Sequence, residues 1–247
     1  MIADYTNWID ACNKIVSEKI TNWKTMSGVT YMLEHLSYDH SVIYLDNLLK
    51  DNVSVDTIKY LTGLNDKNGG TTLHNYIHDI VSSTSSLRYI RHALDICNHI
   101  KNKQITQPIR IIEVGGGYGG LCLILQEFAK LQGINISEYY IYDIPNVQSL
   151  QQYYLRNFPD IFDKITWKKC DTFGSDIPTN MSNFLISNYC LSEISEQYRT
   201  NYLQNILPSI SGAYLAWNDN STNCLPSNRL EVDEEPKTGP YNKIITL

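Results

Sequence analysis

The sequence predicts an α/β protein: a doubly wound, mostly parallel sheet with a C-terminal antiparallel strand, preceded by an α-helical N-terminal cap. Three observations carry this. Up to about residue 106 the apolar residues recur at helical spacing. From 107 onward, apolar runs of strand length alternate with helical stretches. The first of those runs leads directly into a glycine-rich turn. At 247 residues the chain has room for one large domain or one domain with an appendage. The change of pattern divides it into a helical cap and substrate region, 1–106, and a sheet-bearing domain, 107–247.

In the cap, Trp8, Ala11, Cys12, Ile15, Val16, Ile20 and Trp23 share one helical face. A second helix is expected over 31–49, with Ser37-Tyr38-Asp39 as a point of interruption. A short third one covers 55–61, with Ser54 or Asp56 as its cap. GLNDKNGGTT, 63–72, reads as loop throughout. Helices are expected over 73–81 and 86–99, the latter burying Leu87, Ile90, Leu94 and Cys97. Beyond the boundary, Ile109 to Val114 is a continuous apolar strand of the kind buried on both faces of a parallel sheet. Strands follow over 138–142, 165–169, 183–187 and 213–217. Helices are expected over 118–130, over 147–157 behind Pro145, and over 196–207 before Pro208. Around EEPKTGP the tail reads as a hairpin pair, 229–232 and 243–247.

A net charge of −6 argues against a nucleic-acid-binding surface, which needs clustered Lys and Arg; only Lys168-Lys169 and Arg88/Arg91 hint at a local basic patch. The six cysteines form no CxxC pair, so neither a zinc knuckle nor a thioredoxin-type site is expected, and the compartment reads as reducing and cytoplasmic. MIADYTNWIDACNK lacks the basic start and apolar run of a signal peptide, and no apolar stretch approaches the length of a membrane span. A homodimer is compatible with the sequence.

The chemistry gathers at Gly115-Gly116-Gly117-Tyr118-Gly119-Gly120, between a buried strand and a helix, where glycines let the backbone turn and a ligand approach closely. The spacing GxGxxG is shared by nicotinamide enzymes and methyltransferases. Glu113, two residues ahead, separates the two: a carboxylate there repels a pyrophosphate and favours a ligand carrying a sulfonium and an ammonium. Asp143, after the second strand, suits a ribose diol, with Ile144 beside the adenine. Cys170, Asp171 and Thr172 follow the third strand, where Asp171 can accept from an adenine amino group. Three acids after three successive strands share one carboxyl edge, where a ligand belongs in this architecture.

These residues resemble the motifs of class I S-adenosyl-L-methionine (SAM) dependent methyltransferases: IIEVGGGYGG as the first, IYDIP as the second and KKCDTF as the third. A narrower resemblance is to a group of sugar O-methyltransferases, carried by GLNDKNGG, SSLRYIRHALDI, YDIPNVQSLQQYYL, SNYCLSEIS and EEPKTGPYN, from about Gly63 to the C-terminus. It implies a Rossmann-like sheet, SAM as cofactor with S-adenosyl-L-homocysteine as product, and a small-molecule acceptor, a sugar or nucleotide-sugar in glycan biosynthesis. It also implies that Arg88 and Tyr89 of the LRY segment touch cofactor or acceptor, and a phosphate-bearing acceptor would need Arg88 or Arg91 as a cationic partner. Competing readings are another small-molecule or protein acceptor, an NAD-dependent oxidoreductase, which Glu113 disfavours, and a non-catalytic binding module.

A sugar hydroxyl is a poor nucleophile, so a general base is expected. Glu193, in SNYCLSE after the fourth strand, is the first candidate, and the same residue would serve equally as a first-turn acid favouring a helix dipole. Asn188 is placed to contact the cofactor or orient the acceptor, and Tyr189 to pack on the methionine portion of the cofactor or to fill the core. His74 and His78, four apart on the expected helix over 73–81, offer a second base from the cap but lack a third partner for a metal, and no metal is expected. Asp219, after the fifth strand, is a third carboxylate that could face the acceptor, and Trp217 either stacks on a sugar ring or, as is commoner at a strand end, is buried.

Overall fold

Helical spacing at the start of the chain gives α1 (Thr6–Glu18), which buries Trp8, Ala11, Cys12 and Ile15 and ends where Lys19 turns left-handed. The computed structural model describes residues 5–247. The helix expected over 31–49 is two: α2 (Ser27–Met32) and α3 (Tyr38–Lys50). The break falls at Ser37, whose side chain caps α3 by accepting from His40 N–H. Ser54 caps α4 (Val55–Asp66) by accepting from Thr57 N–H at 3.1 Å. Ser54→Ala is expected to lower stability by about 1 kcal/mol, read as a shifted denaturant midpoint at unchanged slope.

Two expectations for the next segment are corrected. Residues 63–66 are helix rather than loop, because α4 carries Asn65 inward to donate to Ser86 Oγ at 2.7 Å. The segment 73–81 is no helix. It forms a hairpin of β1 (His74–Asn75) and β2 (Val81–Ser82), with left-handed φ at His78 and Asp79. Leu73, Ile77 and Val81 do recur at helical spacing, but they are 48%, 56% and 48% exposed, so no core supports a helix there. Next comes α5 (Thr84–Asn102), longer than predicted at both ends.

Ile109–Val114 forms β3, and all six residues are buried. The elements that follow are α6 (Gly120–Leu131), β4 (Ile136–Asp143), α7 (Pro145–Leu155), the short α8 (Pro159–Phe162), β5 (Ile165–Lys169) and β6 (Ser182–Asn188). The chain continues through the one-turn α9 (Cys190–Glu193), α10 (Glu196–Ile206), β7 (Gly212–Trp217), β8 (Leu230–Asp233) and β9 (Lys243–Thr246). The main sheet has the order β5-β4-β3-β6-β7-β9-β8, parallel from β5 to β7; β9 runs antiparallel to β7, and β8, antiparallel to β9, returns to the common direction.

Alternate residues along the strands serve opposite faces. Ile109, Ile111, Tyr139, Ile141, Phe184 and Tyr214 pack with α1 and α3 to α7, while Ile112, Val114, Tyr142, Leu185 and Leu215 pack with α9 and α10. Trp8, Ile15, Val29, Leu45 and Leu61 from the cap join the first of these cores. The boundary near residue 106 is thus a change of secondary structure, and the core runs across it. Strand order reverses between β3 and β6, and in such sheets the crevice outside the carboxyl ends at that point receives ligands.

Candidate active site

β3 runs straight into Gly115-Gly116-Gly117. The backbone is left-handed at Gly115 (φ 80°) and Gly117 (φ 52°), where an L side chain is strained. A Cβ on Gly115 would lie 2.2 Å from Cys190 Cβ, and one on Gly117 3.3 Å from Leu33 Cδ1. The loop is therefore flanked by α9 on one side and by the residue that ends α2 on the other.

Asp143, the last residue of β4, holds this loop. Its Oδ2 accepts from Gly116 N–H at 3.0 Å and from Gln151 Nε2 at 2.9 Å, and its Oδ1 accepts from Ile144 N–H at 2.9 Å. Gln151, on α7, also donates to the Gly117 carbonyl at 3.0 Å. Burial raises the Asp143 carboxyl to about 6, with the three N–H donors opposing the rise, so it is mostly ionised at neutral pH. Asn146, at the start of α7 just after Asp143, donates Nδ2–H to Asn13 Oδ1 at 2.8 Å, which places α1 beside the same edge.

Glu113 lies beneath the loop. It is 1% exposed, and its Oε2 accepts from Tyr139 OH at 2.9 Å and sits 3.3 Å from the position of a Gly116 Cβ. Burial lifts its carboxyl to about 8; the Tyr139 hydrogen bond opposes this and the Asp143 charge adds to it. Glu113 is mostly neutral at pH 7. Burial thus weakens the charge that the sequence alone would place at Glu113. The charge at the loop is that of Asp143, and it occupies a backbone N–H that a phosphate would otherwise take.

Several predicted contacts turn out to be structural. Tyr118 is fully buried behind the loop: its OH donates to Glu34 Oε1 at 3.2 Å, and its ring meets those of Trp23 and Tyr154 edge-on, with Lys24 Nζ 4.7 Å from its centroid. Tyr89 packs edge-on against Tyr118, and a Cβ on Gly120 would meet its ring at 2.5 Å. Both tie α5 and α6 together and neither is free to touch a ligand. Trp217 is fully buried, donating Nε1–H to Ser221 O at 3.1 Å, so it cannot stack on a sugar.

At the end of β5, the half-buried Cys170 accepts at its carbonyl from Tyr202 OH, Thr172 OH donates to Asp176, and Asp171 is exposed. Ile144 is half-buried beside Asp143. β6 ends at Asn188, whose Oδ1 is buried with no hydrogen-bond partner. Tyr189 follows in a left-handed conformation (φ 67°), its N–H donating to Ala216 O and its OH to Glu234. Both carboxylate oxygens of Glu193 accept, Oε2 from Tyr5 OH at 2.9 Å and Oε1 from Asn218 Nδ2 at 2.6 Å. Burial and the Glu193 carboxylate hold the Tyr5 phenol far above its usual range, hence protonated.

The structure thus brings together Gly115 to Gly117, Asp143, Asn188, Tyr189 and Glu193. Asp219 is turned toward α10, ion-paired with Arg199 at 3.3 Å, and its neighbour Asn218 is the one that reaches Glu193. His74 lies on the β1 hairpin, edge-on to Tyr38 at 5.4 Å, lining a separate cavity with Lys24, Glu34 and Thr84. With the helix absent, its predicted shared face with His78 is absent too. Gln151, Asn218, Tyr5 and Leu33 were not anticipated. Gln151 stands on a predicted helix behind Asp143 and could have been found one turn along. Tyr5 and Leu33 reach the site only through the folding of the cap, for which the sequence holds no local signal.

Among the described residues no group of three or more His, Cys, Asp or Glu side chains is arranged to hold a metal ion, and no helix is long and apolar enough to cross a membrane.

No protein-family model and no curated protein sequence matches the chain. Solved structures do resemble it. The methyltransferase domain of bacterial CtHen1 is 10% identical over 64% of this chain and 97% of its own, with a TM-score of 0.45. TrmK of M. capricolum, in complex with its cofactor product S-adenosyl-homocysteine, is 12% identical over 62% of this chain and 66% of its own, with a TM-score of 0.42. The glycopeptide N-methyltransferase MtfA, complexed with sinefungin, is 12% identical over 63% of this chain and 65% of its own, with a TM-score of 0.39. The strand order itself, parallel from β5 to β7 with a reversal between β3 and β6, then antiparallel β9 paired to β8, is that of a doubly wound, Rossmann-like α/β sheet.

Proposed function

We propose that the chain is a SAM-dependent O-methyltransferase acting on a hydroxyl of a sugar or nucleotide-sugar. The observation that carries the cofactor is the Asp143 carboxylate seated on Gly116 N–H at the switch point. A pyrophosphate would have to displace that charge. SAM has no phosphate, and its ammonium and sulfonium are attracted by it.

The other groups fit the same ligand. Oδ1 of Asp143 accepts one protein hydrogen bond and keeps a lone pair for a ribose hydroxyl. The orphaned Oδ1 of Asn188 suits an ammonium donor. Ile144 and the exposed Asp171 flank the place where adenine would lie. When bound, SAM supplies the electrophilic methyl group.

The chain's own residues align and deprotonate. Glu193 takes the proton of the acceptor hydroxyl, while Tyr5 and Asn218 fix the direction of its carboxylate. Leu33 and α1, from the cap, lie beside the loop and would keep water from the bound cofactor. The sugar class is supported by the resemblance of the SNYCLSEIS and EEPKTGPYN segments.

The test is methyl transfer from labelled SAM to a panel of nucleotide sugars and free sugars. Label is expected on a sugar hydroxyl; label appearing instead on a protein or another small molecule would replace the acceptor assignment. Glu193→Gln is expected to lower kcat roughly 100-fold while S-adenosyl-homocysteine affinity stays unchanged. An unaltered kcat at saturating acceptor would remove Glu193 from the role of base.

A further inference from the structure

Asn218, the residue after β7, donates Nδ2–H to Glu193 Oε1 at 2.6 Å. An asparagine amide has two ends of nearly the same shape, and only its NH2 end can serve an ionised carboxylate, which accepts and never donates. The other partner of Glu193, Tyr5 OH, turns about a single bond, so it can meet a carboxylate as donor or a carboxylic acid as acceptor. The orientation of the Asn218 amide is therefore what separates the base form of Glu193 from its acid form.

Ser192 sets that orientation. It precedes Glu193 on α9 and is 8% exposed. Its Oγ lies 2.6 Å from Asn218 Oδ1 and accepts from Asn218 N–H at 3.2 Å. The hydroxyl has one proton and a second acceptor in reach, the Tyr189 carbonyl, also at 2.6 Å. That carbonyl already accepts from the N–H groups of Ser192 at 2.9 Å and Glu193 at 3.1 Å, which fill its two lone pairs. Asn218 Oδ1 has no other donor among the described residues, so the proton belongs there. A closed pair of bonds results: Asn218 N–H to Ser192 Oγ, and Ser192 O–H to Asn218 Oδ1. With Oδ1 engaged, Nδ2 is the end that faces Glu193.

We propose that Ser192 is a positioning residue for methyl transfer: through Asn218 it keeps an N–H donor on Glu193 Oε1, so that the carboxylate stays ionised and fixed toward the acceptor hydroxyl. Its role in the reaction rests on the function proposed above; the orientation of Asn218 does not. Removing the hydroxyl frees the amide to turn. The amide carbonyl then faces Glu193, which is either pushed away or takes a proton to donate, and in both cases is lost as a base. The segment SNYCLSE thereby supplies both the base and the group that sets it, and the residue after β7 supplies the link between them.

The test begins with the intact protein and no ligand. The Nδ2 protons of Asn218, assigned by their disappearance in Asn218→Ala, are followed by heteronuclear NMR. In the wild type one of them is expected downfield of the other and protected from exchange with water. In Ser192→Ala its exchange is expected to be roughly tenfold faster, the consequence of one lost hydrogen bond. Kinetics then use whichever acceptor of the sugar panel takes up label. Ser192→Ala is expected to lower kcat roughly tenfold, with the acceptor KM and S-adenosyl-homocysteine affinity unchanged. Asn218→Ala is expected to lower kcat at least as much, and the double variant no further than Asn218→Ala alone, because Ser192 acts only through Asn218. Should Ser192→Ala fail to fold, Asn218→Asp, of the same shape with an acceptor in place of the donor, is expected to lower kcat by roughly tenfold or more. An unchanged Asn218 exchange rate in Ser192→Ala, kcat losses that multiply in the double variant, or a wild-type kcat in Asn218→Asp would each overturn the proposal. An Asn218 amide that responds as expected in a protein with no affinity for S-adenosyl-homocysteine would leave the orientation standing and remove the methyltransferase reading instead.

Discussion

Asp143→Ala is expected to weaken S-adenosyl-homocysteine binding roughly 1,000-fold, the largest effect of any single substitution at the site. Two losses combine. The carboxylate offers charge-assisted acceptance to a ribose hydroxyl, and it also holds Gly116 N–H, Ile144 N–H and Gln151 Nε2 in place. Removing it leaves those donors unpaired and frees the glycine loop from its left-handed geometry at Gly115 and Gly117. Asp143→Asn keeps an acceptor of the same shape and is expected to fall between wild type and alanine. A pH dependence follows from the same group. Ligand binding needs the ionised carboxylate, so affinity is expected to hold above the raised value of about 6 and to fall about tenfold per pH unit below it. Calorimetry across pH 5 to 8 checks this, and a flat profile would show that the Asp143 charge is not engaged.

The second large effect concerns Glu113 and is one of stability. An ordinary glutamate in the unfolded chain loses its proton near 4.5, while the buried one keeps it to about 8. Between these values the folded protein holds the extra proton, so stability falls as pH rises, by up to about 5 kcal/mol over the whole window. Glu113→Gln keeps the size of the neutral carboxyl and cannot ionise. It is expected to match wild type near pH 4.5 and to be several kcal/mol more stable above pH 8. Urea unfolding at pH 5, 7 and 8.5 distinguishes the cases. Parallel profiles for the two proteins would mean that Glu113 is solvated or already ionised, against its placement beneath Gly116.

Glu113 also shows what the sequence did and did not reveal. Its position at the head of the glycine loop is legible in IIEVGGGYGG, but its charge is set by burial beneath the loop, which the hydrogen bond from Tyr139 one strand over opposes, and no local pattern encodes either. Ile109–Val114 has the predicted bounds because a strand buried along its whole length, between turn residues, has few alternatives; the edge strand Ile165–Lys169 also has them, although only Ile165 of it is buried. The segment from Leu73 to Val81 fared worst. Its four-residue apolar spacing is helical, yet the side chains face solvent, and periodicity without burial carries no energy. Trp217 is the buried strand-end tryptophan that its position most commonly gives, and Tyr89, offered to a ligand by the LRY resemblance, packs against Tyr118 instead.

The first sixty residues contributed least to the motif pattern and are the ones that complete the site. Tyr5 reaches Glu193, Leu33 covers Gly117, and α1 lies beside the Asp143 edge. These contacts are long-range in sequence and depend on how the cap packs. Asp143 itself was legible as an acid after the second strand. Its second function, seated on the Gly116 N–H, became visible only in three dimensions, and it adds the Asp143 charge to the discrimination between cofactors.

That discrimination is the centre of the account and can be measured directly. Calorimetric titration of the intact protein at pH 7.5 with S-adenosyl-homocysteine and, separately, with NAD is expected to show one S-adenosyl-homocysteine bound per chain and no NAD. In Asp143→Ala the S-adenosyl-homocysteine signal is expected to vanish. Binding of NAD without S-adenosyl-homocysteine, or S-adenosyl-homocysteine affinity undiminished in Asp143→Ala, would contradict it.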